Sequence, residues 1–557
     1  APLNISLCPP PLMETAINTG GPIDYFALVD ARGDSPLPPA EIEAGLDVAL
    51  TRTAELAADA PRYLPVLLQR FIYTDRDRCS PLATATALAI LRPLGYHAGC
   101  SAEMATGPAL DGLFHFVREP LETPSAGSLA SDIRDEALTC VANAMYLHPE
   151  CRDHVAQRHC LDALGTALDA AGDAPVTAFL AARCLLFALS TEEGARCGVD
   201  ELGLQDRLAR VAEIHLRSAA MGEGIGSRFM PQQVLAEILK ASMSLCAVYL
   251  RWMRGQPDAQ GEQPPADDSF PPETAPRFAR LLQATLDVVR TLPLSSCHLT
   301  PSAAQAVAIA MNFSTTQPPE IAQLWLPSGD PWQYVDPIYS RFAEVVDHLM
   351  EGAVGSDAAS RLADAAEKYQ NELTPLSLLL ARLVTENPRV RERIFSKVYP
   401  DNTIDYTVLP EERPGMSAKL VRIMKLPQGG MLSSAAGDVL LALMGHDIKH
   451  FVLAVGYGNA AGYMVARGIP IPQDIVDQVR SSVGAPSAVD PVTGRCLDRA
   501  DVERELAAMT DEEKEAEAER LFVLFERLNK TGVIKVANPV RLAAESGRFK
   551  ELDDSRP

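Results

Sequence analysis

The sequence is poor in aromatic residues and in basic charge, and each shortage makes a class of protein improbable. Aromatic residues make up 6% of the 557 residues, whereas hydrophobic residues make up 47%. Alanine and leucine dominate that fraction, and this composition favours packed helices over sheets. The 50 Lys and Arg residues face 73 Asp and Glu residues, a formal net charge of −23. Because nucleic-acid binding relies on basic patches, we expect a basic or neutral partner and no nucleic acid.

Paired cysteine motifs and long apolar runs are also missing. The 11 cysteines are scattered from Cys8 to Cys496 without a C-x-x-C pair, which indicates reduced, mostly buried cytosolic thiols rather than disulfides or a zinc site. No uncharged apolar run approaches the roughly 18 residues that a transmembrane helix needs, so we expect no direct membrane insertion. The stretch APLNISLCPPPLMETA has no basic segment followed by an apolar core, so no secretory signal is expected.

Motifs of covalent catalysis are scarce as well. The sequence contains no G-x-S-x-G elbow and no Walker lysine motif. His446 and His450 are one helical turn apart, but the glutamate of H-E-x-x-H is missing, so capping or solvent-exposed histidines are favoured over metal ligands. The other histidines are expected to stand apart from acidic and cysteine clusters. We therefore expect no catalytic residue, no metal site and no cofactor.

A helical rhythm is the main positive feature of the sequence. Apolar residues recur at spacings of three and four from residue 40 onward, with short breaks between the blocks. Among the helices predicted from these blocks are 131–147, 174–190, 204–219, 231–253 and 432–463. ALTCVANAMYLHP and AARCLLFALSTEE align in apolar phase about 43 positions apart, which suits the roughly 40–47-residue period of armadillo and HEAT repeats. The pattern predicts an all-α fold, an armadillo/HEAT-like right-handed helical solenoid over residues 40–468.

Composition divides the rest of the chain. Residues 1–39 are rich in Pro and Gly and are predicted to be a loosely ordered lead-in. Residues 254–276 contain many Pro, Gly and acidic residues and almost no apolar ones, which predicts a disordered loop within the solenoid. Residues 469–499 form a predicted flexible spacer, and 500–557 a C-terminal helix and tail.

The C-terminal helix has clear start and stop signals. Thr510 and Glu513 form a capping box, acidic residues fill the first turn, and Gly532 ends the pattern. The apolar stripe of this amphipathic helix consists of Leu521, Leu524, Phe525 and Leu528. A solvated tail needs no such stripe, although packing back onto the solenoid is an alternative.

Glycines cluster in the stretch HDIKHFVLAVGYGNAAGYMVARG at 446–468. Gly456-x-Gly458-x-x-Ala461 fits a relaxed dinucleotide fingerprint if Phe451–Val455 is a strand. No other segment shows the short β-branched runs of a parallel sheet, so a helix C-cap with close helix contact is favoured. A nucleotide-dependent enzyme built on this stretch stays as an alternative.

Three motifs in this region resemble the synembryn family of Gα exchange factors and folding chaperones. They are YGNAAGYMVARG, DPVTGR at 490–495 and MTDEEKEAEAERLFVLFERLNKTGVIK at 509–535, in the order of that family. Similarity extends upstream through ALTCVANAM at 137–145, RCLLFAL at 183–189, EILK at 237–240 and NPRVRERIFSKVYP at 387–400. The resemblance covers most of the chain.

This resemblance implies a cytoplasmic monomer that binds a G-protein α subunit, reaches the plasma membrane through it and acts as an exchange factor by differential binding, without covalent catalysis. It places the Gα C-terminal helix in the groove of the solenoid and the helix at 511–530 on the Gα nucleotide-binding domain. The implied groove residues are Arg76, Asn143, Phe187, Lys240 and Arg391. The implied motif residues are Tyr457, Gly458, Asn459 and Gly462.

Each implied groove contact has an alternative. Asn143 could bond neighbouring backbone, Phe187 could be core, and Arg76 and Arg391 could be solvated. Ser242-Met243-Ser244 departs from the Leu-Phe-Asn usual in the family, so groove contacts there stay open. IPIPQDIVDQVRSSVGAPS lacks the acidic phosphorylatable run of animal relatives, so that regulation is not carried over. The alternative function is an armadillo-type adaptor without exchange activity.

Overall fold

The computed structural model describes residues 64–74, 79–95, 101–118, 127–221, 228–255, 269–292, 299–352, 358–399, 408–426 and 430–470, with a few isolated gaps and outlying positions. Every regular element within these ranges is a helix, so the predicted all-α class is confirmed. In the first part of the chain the α-helices are α1 (Pro81–Gly95), α2 (Ser101–Met104), α3 (Gly107–Arg118), α4 (Gly127–Leu147), α5 (Arg152–Val155), α6 (Arg158–Ala171), α7 (Pro175–Ala188), α8 (Glu192–Asp200), α9 (Leu204–Met221) and α10 (Pro231–Gly255).

The remaining helices follow at similar intervals. They are α11 (Ala279–Thr291), α12 (Pro301–Ala310), α13 (Pro319–Trp325), α14 (Val335–Glu351), α15 (Ala358–Glu386), α16 (Pro388–Val398), α17 (Met416–Met424), α18 (Met431–Leu443), α19 (Ile448–Val455) and α20 (Tyr457–Arg467). Short π or 3₁₀ turns cover Leu68–Thr74, Pro149–Cys151 and Ala275–Phe278.

Capping side chains and prolines explain several of these boundaries. Thr191 accepts a hydrogen bond from the backbone N–H of Gly194 at 3.1 Å, and Thr300 accepts one from Ala303 at 3.2 Å, so each caps the helix that follows. Pro175 and Pro301 stand at the first position of α7 and α12, where a missing N–H costs nothing. Gly468 ends α20 in the left-handed conformation.

The helices from α1 to α15 pack as two rows. The first row is α3, α6, α9, α11 and α14, and the second row is α1, α4, α7, α10, α12 and α15; each helix contacts the next of its own row. Pairs such as α6 with α7 and α9 with α10 join one row to the other. The apolar stripe of each helix is buried between its row neighbours and its pair partner.

Polar contacts between neighbouring helices recur at a regular sequence separation. Arg92 and Glu136 are 44 residues apart, Thr177 and Asp135 are 42 apart, and Arg210 and Asp169 are 41 apart. The two sequence segments that align in apolar phase lie on α4 and α7, which are neighbours in the second row. The two aligned segments therefore belong to helices that occupy successive positions in the packing of the second row.

Helix α10 is long, apolar and mostly buried. By length and composition it could cross a membrane, contrary to the sequence expectation, but 72% of its apolar window is buried inside the structure. It packs against α7, α8, α9 and α12. Its apolar character is explained by these helix contacts.

Two predicted segments have different bounds in the structure. The predicted disordered loop 254–276 is structured at both ends: α10 runs through Gly255, and Phe270 is buried with its ring centroid 4.5 Å from that of Phe278 and 5.3 Å from that of Phe313. Residues 256–268 lie outside the described residues. The continuous apolar pattern at 432–463 forms three helices, because Gly445 and Gly456 have positive φ and interrupt it.

The chain divides into two compact units at Ile394 and Phe395, within the range predicted as one solenoid. In the second unit, α17, α18 and α20 contact one another and α19 packs on α18 and α20. Arg413 is buried there and donates a hydrogen bond to the carbonyl of Ala454. The predicted lead-in, spacer and C-terminal helix lie outside the described residues apart from isolated positions.

Candidate functional site

Three of the predicted groove residues lie on consecutive helices of the second row. Asn143 is on α4, Phe187 on α7 and Lys240 on α10, and all three are half-buried. Because α7 packs between α4 and α10, the three residues lie on adjacent helices of the row. We call these three residues and the side chains that contact them the second-row surface.

Phe187 belongs to a cluster at the edge of the protein rather than to its core. Its ring centroid is 6.4 Å from that of Tyr146, whose exposed fraction is 52%, and the guanidinium of Arg152 lies 4.9 Å from the Phe187 centroid. Arg152 is held by a hydrogen bond to the Met145 carbonyl at 3.1 Å. An accessible aromatic pair beside a cation suits a ligand with both apolar and acidic groups.

Lys240 shares a buried carboxylate with an arginine. The exposed fraction of Glu237 is 1%, and its two partners are Lys240, at 3.3 Å, and Arg183, which makes a shorter bond. The guanidinium of Arg183 also lies 5.0 Å from the ring centroid of Phe179. One negative charge therefore faces two cations, which leaves this part of the surface with excess positive charge.

A second set of paired charges lies on α1 and α4. Arg92 binds both carboxylate oxygens of Glu136, at 2.6 and 2.8 Å. Thr177 donates a hydrogen bond to Asp135 at 2.6 Å. Burial nevertheless raises the pKa of Asp135 to about 6. Arg228 is also partly buried, and its own burial, together with the nearby positive charge of Arg92, lowers the pKa of Arg228.

Tyr146, Arg152, Arg183 and Glu237 were not among the residues predicted from the sequence. Signals for three of them exist in the sequence. Tyr146 is three residues after Asn143 on a helix, so the two share a face, and Arg183 and Glu237 open the motifs RCLLFAL and EILK. Their pairing across 54 residues has no local signal.

The other predicted contact residues are not brought to this surface. Arg391 is on α16, half-buried, and has no ion pair among the residues that the structure describes. Arg76 and the stripe of Leu521, Leu524, Phe525 and Leu528 lie outside the described residues. The roles of all six stay predictions.

The glycine motif begins a helix. Phe451–Val455 belongs to α19, and Gly456 joins α19 to α20 with φ 80° and ψ 144°, a conformation that favours glycine. The dinucleotide interpretation, which needs a strand here, is therefore wrong. The predicted helix C-cap is confirmed at Gly456, but the close helix contact predicted with it is not found at Gly458 or Gly462, which have open space beside them. The Asn459 side chain donates a hydrogen bond to the Val455 carbonyl at 2.7 Å and ties the two helices together.

The remaining motif residues divide into buried and exposed. Tyr457 is buried, whereas Gly458 and Gly462 are exposed on α20 and have open space where a Cβ would stand. Next to them, Tyr463 donates a hydrogen bond to Asp438 at 2.6 Å, and its ring lies against Gly437. The motif is thus partly structural, and its two glycines Gly458 and Gly462 lie exposed to solvent.

The histidines follow the predictions only in part. The His450 side chain is 69% exposed and lies 3.3 Å from Asp447, which caps α19 through the N–H groups of Lys449 and His450. That agrees with the predicted solvent-exposed histidine, whereas the residue that caps the helix is Asp447 and not a histidine. The expectation that other histidines stand apart from acidic and cysteine residues is wrong, because His154 and His159 meet Asp111 and Cys160.

Comparison with known proteins gives a family match over most of the chain. The family model described as guanine nucleotide exchange factor synembryn matches residues 87–548. This range contains α4, α7 and α10 of the second-row surface as well as the glycine motif.

Curated relatives share modest identity with the chain. The chaperone Ric-8A of Gallus gallus is 28% identical over 211 residues, which is 36% of this chain and 38% of that protein. A synembryn-like chaperone of Schizosaccharomyces pombe is 30% identical over 198 residues, 33% of this chain and 36% of that protein. The chaperone Ric-8 of Drosophila pseudoobscura pseudoobscura is 23% identical over 438 residues, 75% of this chain and 73% of that protein. The alignments to the first two thus span under two-fifths of those relatives.

Proposed function

Because the chain belongs to the guanine nucleotide exchange factor synembryn family, we propose that it is an exchange factor and folding chaperone for heterotrimeric G-protein α subunits. The observation that carries the proposal is the family match over residues 87–548. The named chaperones among its relatives support the chaperone part. We further propose that it works as a cytoplasmic monomer that reaches the plasma membrane through Gα.

The proposed architecture is an armadillo/HEAT-like right-handed solenoid whose second row lines the groove. Asn143, Phe187 and Lys240 would then contact the C-terminal helix of Gα. The aromatic pair of Tyr146 and Phe187 would take an apolar side chain of that helix, and the excess positive charge beside Glu237 would attract its terminal carboxylate. Arg76 and Arg391 are further candidates for the carboxylate.

Exchange follows from differential binding, without a covalent step or a cofactor. A protein that binds nucleotide-free Gα more tightly than Gα·GDP must weaken GDP affinity by the same factor, since coupling between two ligands is reciprocal. Holding the Gα C-terminal helix away from its own sheet would loosen the guanine-binding loop, and GTP binding would release the factor. The same binding would keep partly folded Gα from aggregating until nucleotide arrives.

A nucleotide-release assay tests this proposal. Full-length protein should accelerate GDP release from purified Gα, whereas an armadillo-type adaptor would bind Gα and leave the release rate unchanged. Phe187→Ala should weaken binding of a Gα C-terminal peptide about tenfold, since an aromatic anchor contributes at least about 1.4 kcal/mol. Trp252→Ala is the matched control, because Trp252 is also half-buried beneath an arginine, Arg196, at 4.9 Å.

Truncation tests the second contact. We propose that the amphipathic helix at 511–530 binds the Gα nucleotide-binding domain while the groove holds the C-terminal helix. Two linked contacts raise effective concentration, so deleting 500–557 should sharply reduce full-length Gα affinity and GDP release but leave peptide binding nearly intact. Equal losses for both ligands, with a lower melting temperature, would show that the helix only stabilises the fold.

A further inference from the structure

A cluster of potential metal ligands lies in the first row of helices. Asp111 on α3, His154 on α5, and His159 and Cys160 on α6 each offer one ligand atom, and these four atoms all lie within 4.8 Å of one another. Asp111 Oδ1 is 2.9 Å from His154 Nε2 and 3.4 Å from His159 Nε2. Cys160 Sγ is 3.3 Å from the same His159 nitrogen.

The hydrogen bonds of this cluster compete for one nitrogen. His159 Nε2 faces both the carboxylate of Asp111, at 3.4 Å, and the sulfur of Cys160, at 3.3 Å. This nitrogen can donate to the carboxylate or accept from the thiol, but it cannot do both in one tautomer. Four electron-pair donors that converge on one region are, in contrast, the arrangement that a small cation requires.

We propose that Asp111, His154, His159 and Cys160 form a binding site for one Zn²⁺ ion. Two imidazole nitrogens, one thiolate and one carboxylate oxygen are ligands that zinc accepts in tetrahedral sites. With metal–ligand distances of about 2.0–2.3 Å, tetrahedral ligand atoms lie roughly 3.3–3.8 Å apart. The 3.3 and 3.4 Å separations already fit, and the 2.9 Å separation needs a shift of about 0.5 Å. The other three separations are at most 4.8 Å, so they need to shorten by at most about 1 Å when an ion binds.

Two of the four ligands are exposed enough for an ion to reach the site from solvent. The Asp111 and His159 side chains are 53% and 46% exposed, whereas Cys160 is fully buried behind them. Burial raises the pKa of Cys160 to about 12, so its thiol carries a proton until metal binds. Binding forms the zinc–sulfur bond as the S–H bond breaks, and the proton leaves to solvent.

Neighbouring groups hold the ligands in place. Arg118 donates a hydrogen bond to the His159 carbonyl at 3.2 Å, and its charge favours the thiolate form of Cys160. A Cβ at Gly107 would lie 3.1 Å from the His154 ring, so glycine leaves that ring its room. Arg118 also repels a divalent cation, so the proposal requires a thiolate and a carboxylate that together neutralise the ion.

The site would join two successive layers of the first row. Asp111 and His154 are 43 residues apart, which matches the separation of the other polar pairs between neighbouring helices. A zinc ion here would fasten α3 to α5 and α6 and stabilise the first unit against unfolding. This inference does not rest on the proposed function.

Cobalt(II) is a suitable probe, because its visible absorption reports tetrahedral coordination and thiolate ligation. Full-length protein stripped with a chelator should bind one Co²⁺ per chain with a thiolate charge-transfer band, and Zn²⁺ should displace it. Cys160→Ser should abolish that band. Asp111→Asn, at a half-exposed position that tolerates the change, should lower Zn²⁺ affinity at least about tenfold and remove the zinc-dependent rise in melting temperature.

Two substitutions close by serve as matched controls. His148→Gln changes a histidine that bonds Ser101 and Glu150, and Cys151→Ser changes a buried cysteine outside the cluster. Both should bind cobalt like the parent. The proposal is overturned if the parent shows no stoichiometric Co²⁺ binding, if Cys160→Ser keeps the thiolate band, or if the control variants lose as much affinity as Asp111→Asn.

Discussion

The two compact units differ in how regularly their polar contacts are spaced along the chain. In the first unit, Arg183 and Glu237 are 54 residues apart, and Thr177 and Asp135 are 42 apart, so each bond joins neighbouring helices of a row. In the second unit, the separations are 14 residues for Lys425 with Glu411, 25 for Tyr463 with Asp438 and 41 for Arg413 with Ala454. Contacts between repeats therefore hold the first unit together, whereas the second unit has no common separation and has glycines at its helix junctions.

This difference predicts how each unit responds to substitution. Removal of Arg183 in the first unit leaves the buried carboxylate of Glu237 without its closer partner, which is costly. In the second unit, Gly437 faces an aromatic ring and Gly462 has open space beside it, so alanine at these two positions should have opposite effects on stability. The four predictions below test that contrast by chemical denaturation of the full chain.

The largest effect is expected for Arg183→Met. Glu237 is almost fully buried, and loss of its arginine leaves a charge with only Lys240 beside it, which should cost about 3 kcal/mol of unfolding free energy. Lys240→Met is the matched control and should cost below about 1 kcal/mol, because the Lys240 side chain is 39% exposed. Equal losses would mean that the two cations share the carboxylate evenly.

A slightly smaller effect is expected for Gly437→Ala in the second unit. The added Cβ would lie 2.3 Å from the Tyr463 ring, which its hydrogen bond to Asp438 holds in place. Overpacking of this kind costs roughly 1–3 kcal/mol, and the fixed ring favours the upper half of that range. A variant as stable as the parent would show that the ring moves freely.

A third effect concerns pH and Asp135. Its folded pKa is raised from 3.8 to about 6, so its favourable contribution is complete below about pH 4 and is lost as pH rises through about 6. Asp135→Asn keeps an acceptor for Thr177 and should remove this loss. The variant should gain about 2 kcal/mol over the parent at pH 7 and nothing at pH 4, after allowance for partial exposure. A pH-independent difference would contradict the assignment.

The smallest effect is expected for Gly462→Ala. Gly462 is exposed within α20 and has open space at its Cβ position, so alanine should stabilise the protein by about 0.5–1 kcal/mol. A comparison of Gα binding by the same variant sharpens the result. Greater stability with weaker Gα binding would place this glycine at the partner surface, and unchanged binding would assign the motif to folding alone.

The helices of the first unit were largely predictable from sequence. Apolar spacing marked α4, α7, α9 and α10 within a few residues, because each buries one stripe between neighbours. The matching apolar pattern of α4 and α7 predicted a packing repeat, because both helices bury one stripe in equivalent positions of the row. The break of the 432–463 pattern into three helices was missed, since spacing reports a buried face but does not show where φ turns positive.

The positions of three predicted groove residues followed from short motifs, while their role as contacts stays a prediction. Asn143, Phe187 and Lys240 lie in motifs that resemble the family, and the fold places them on successive helices. Phe270 was missed because it is a single aromatic residue in a polar stretch, and its burial depends on Phe278 and Phe313. Local composition carries no information about such distant partners.

Sequence alone was enough for the helical class, the repeat period and the family, since these depend on local propensity, on the spacing of apolar residues and on short motifs. The pairing of Arg183 with Glu237, and the meeting of Asp111 with His154, His159 and Cys160, came only from the folded chain. The physical reason is the stacking of helices, which brings residues more than 40 positions apart within bonding distance. Such contacts depend on how neighbouring helices are rotated and offset, and local spacing specifies neither.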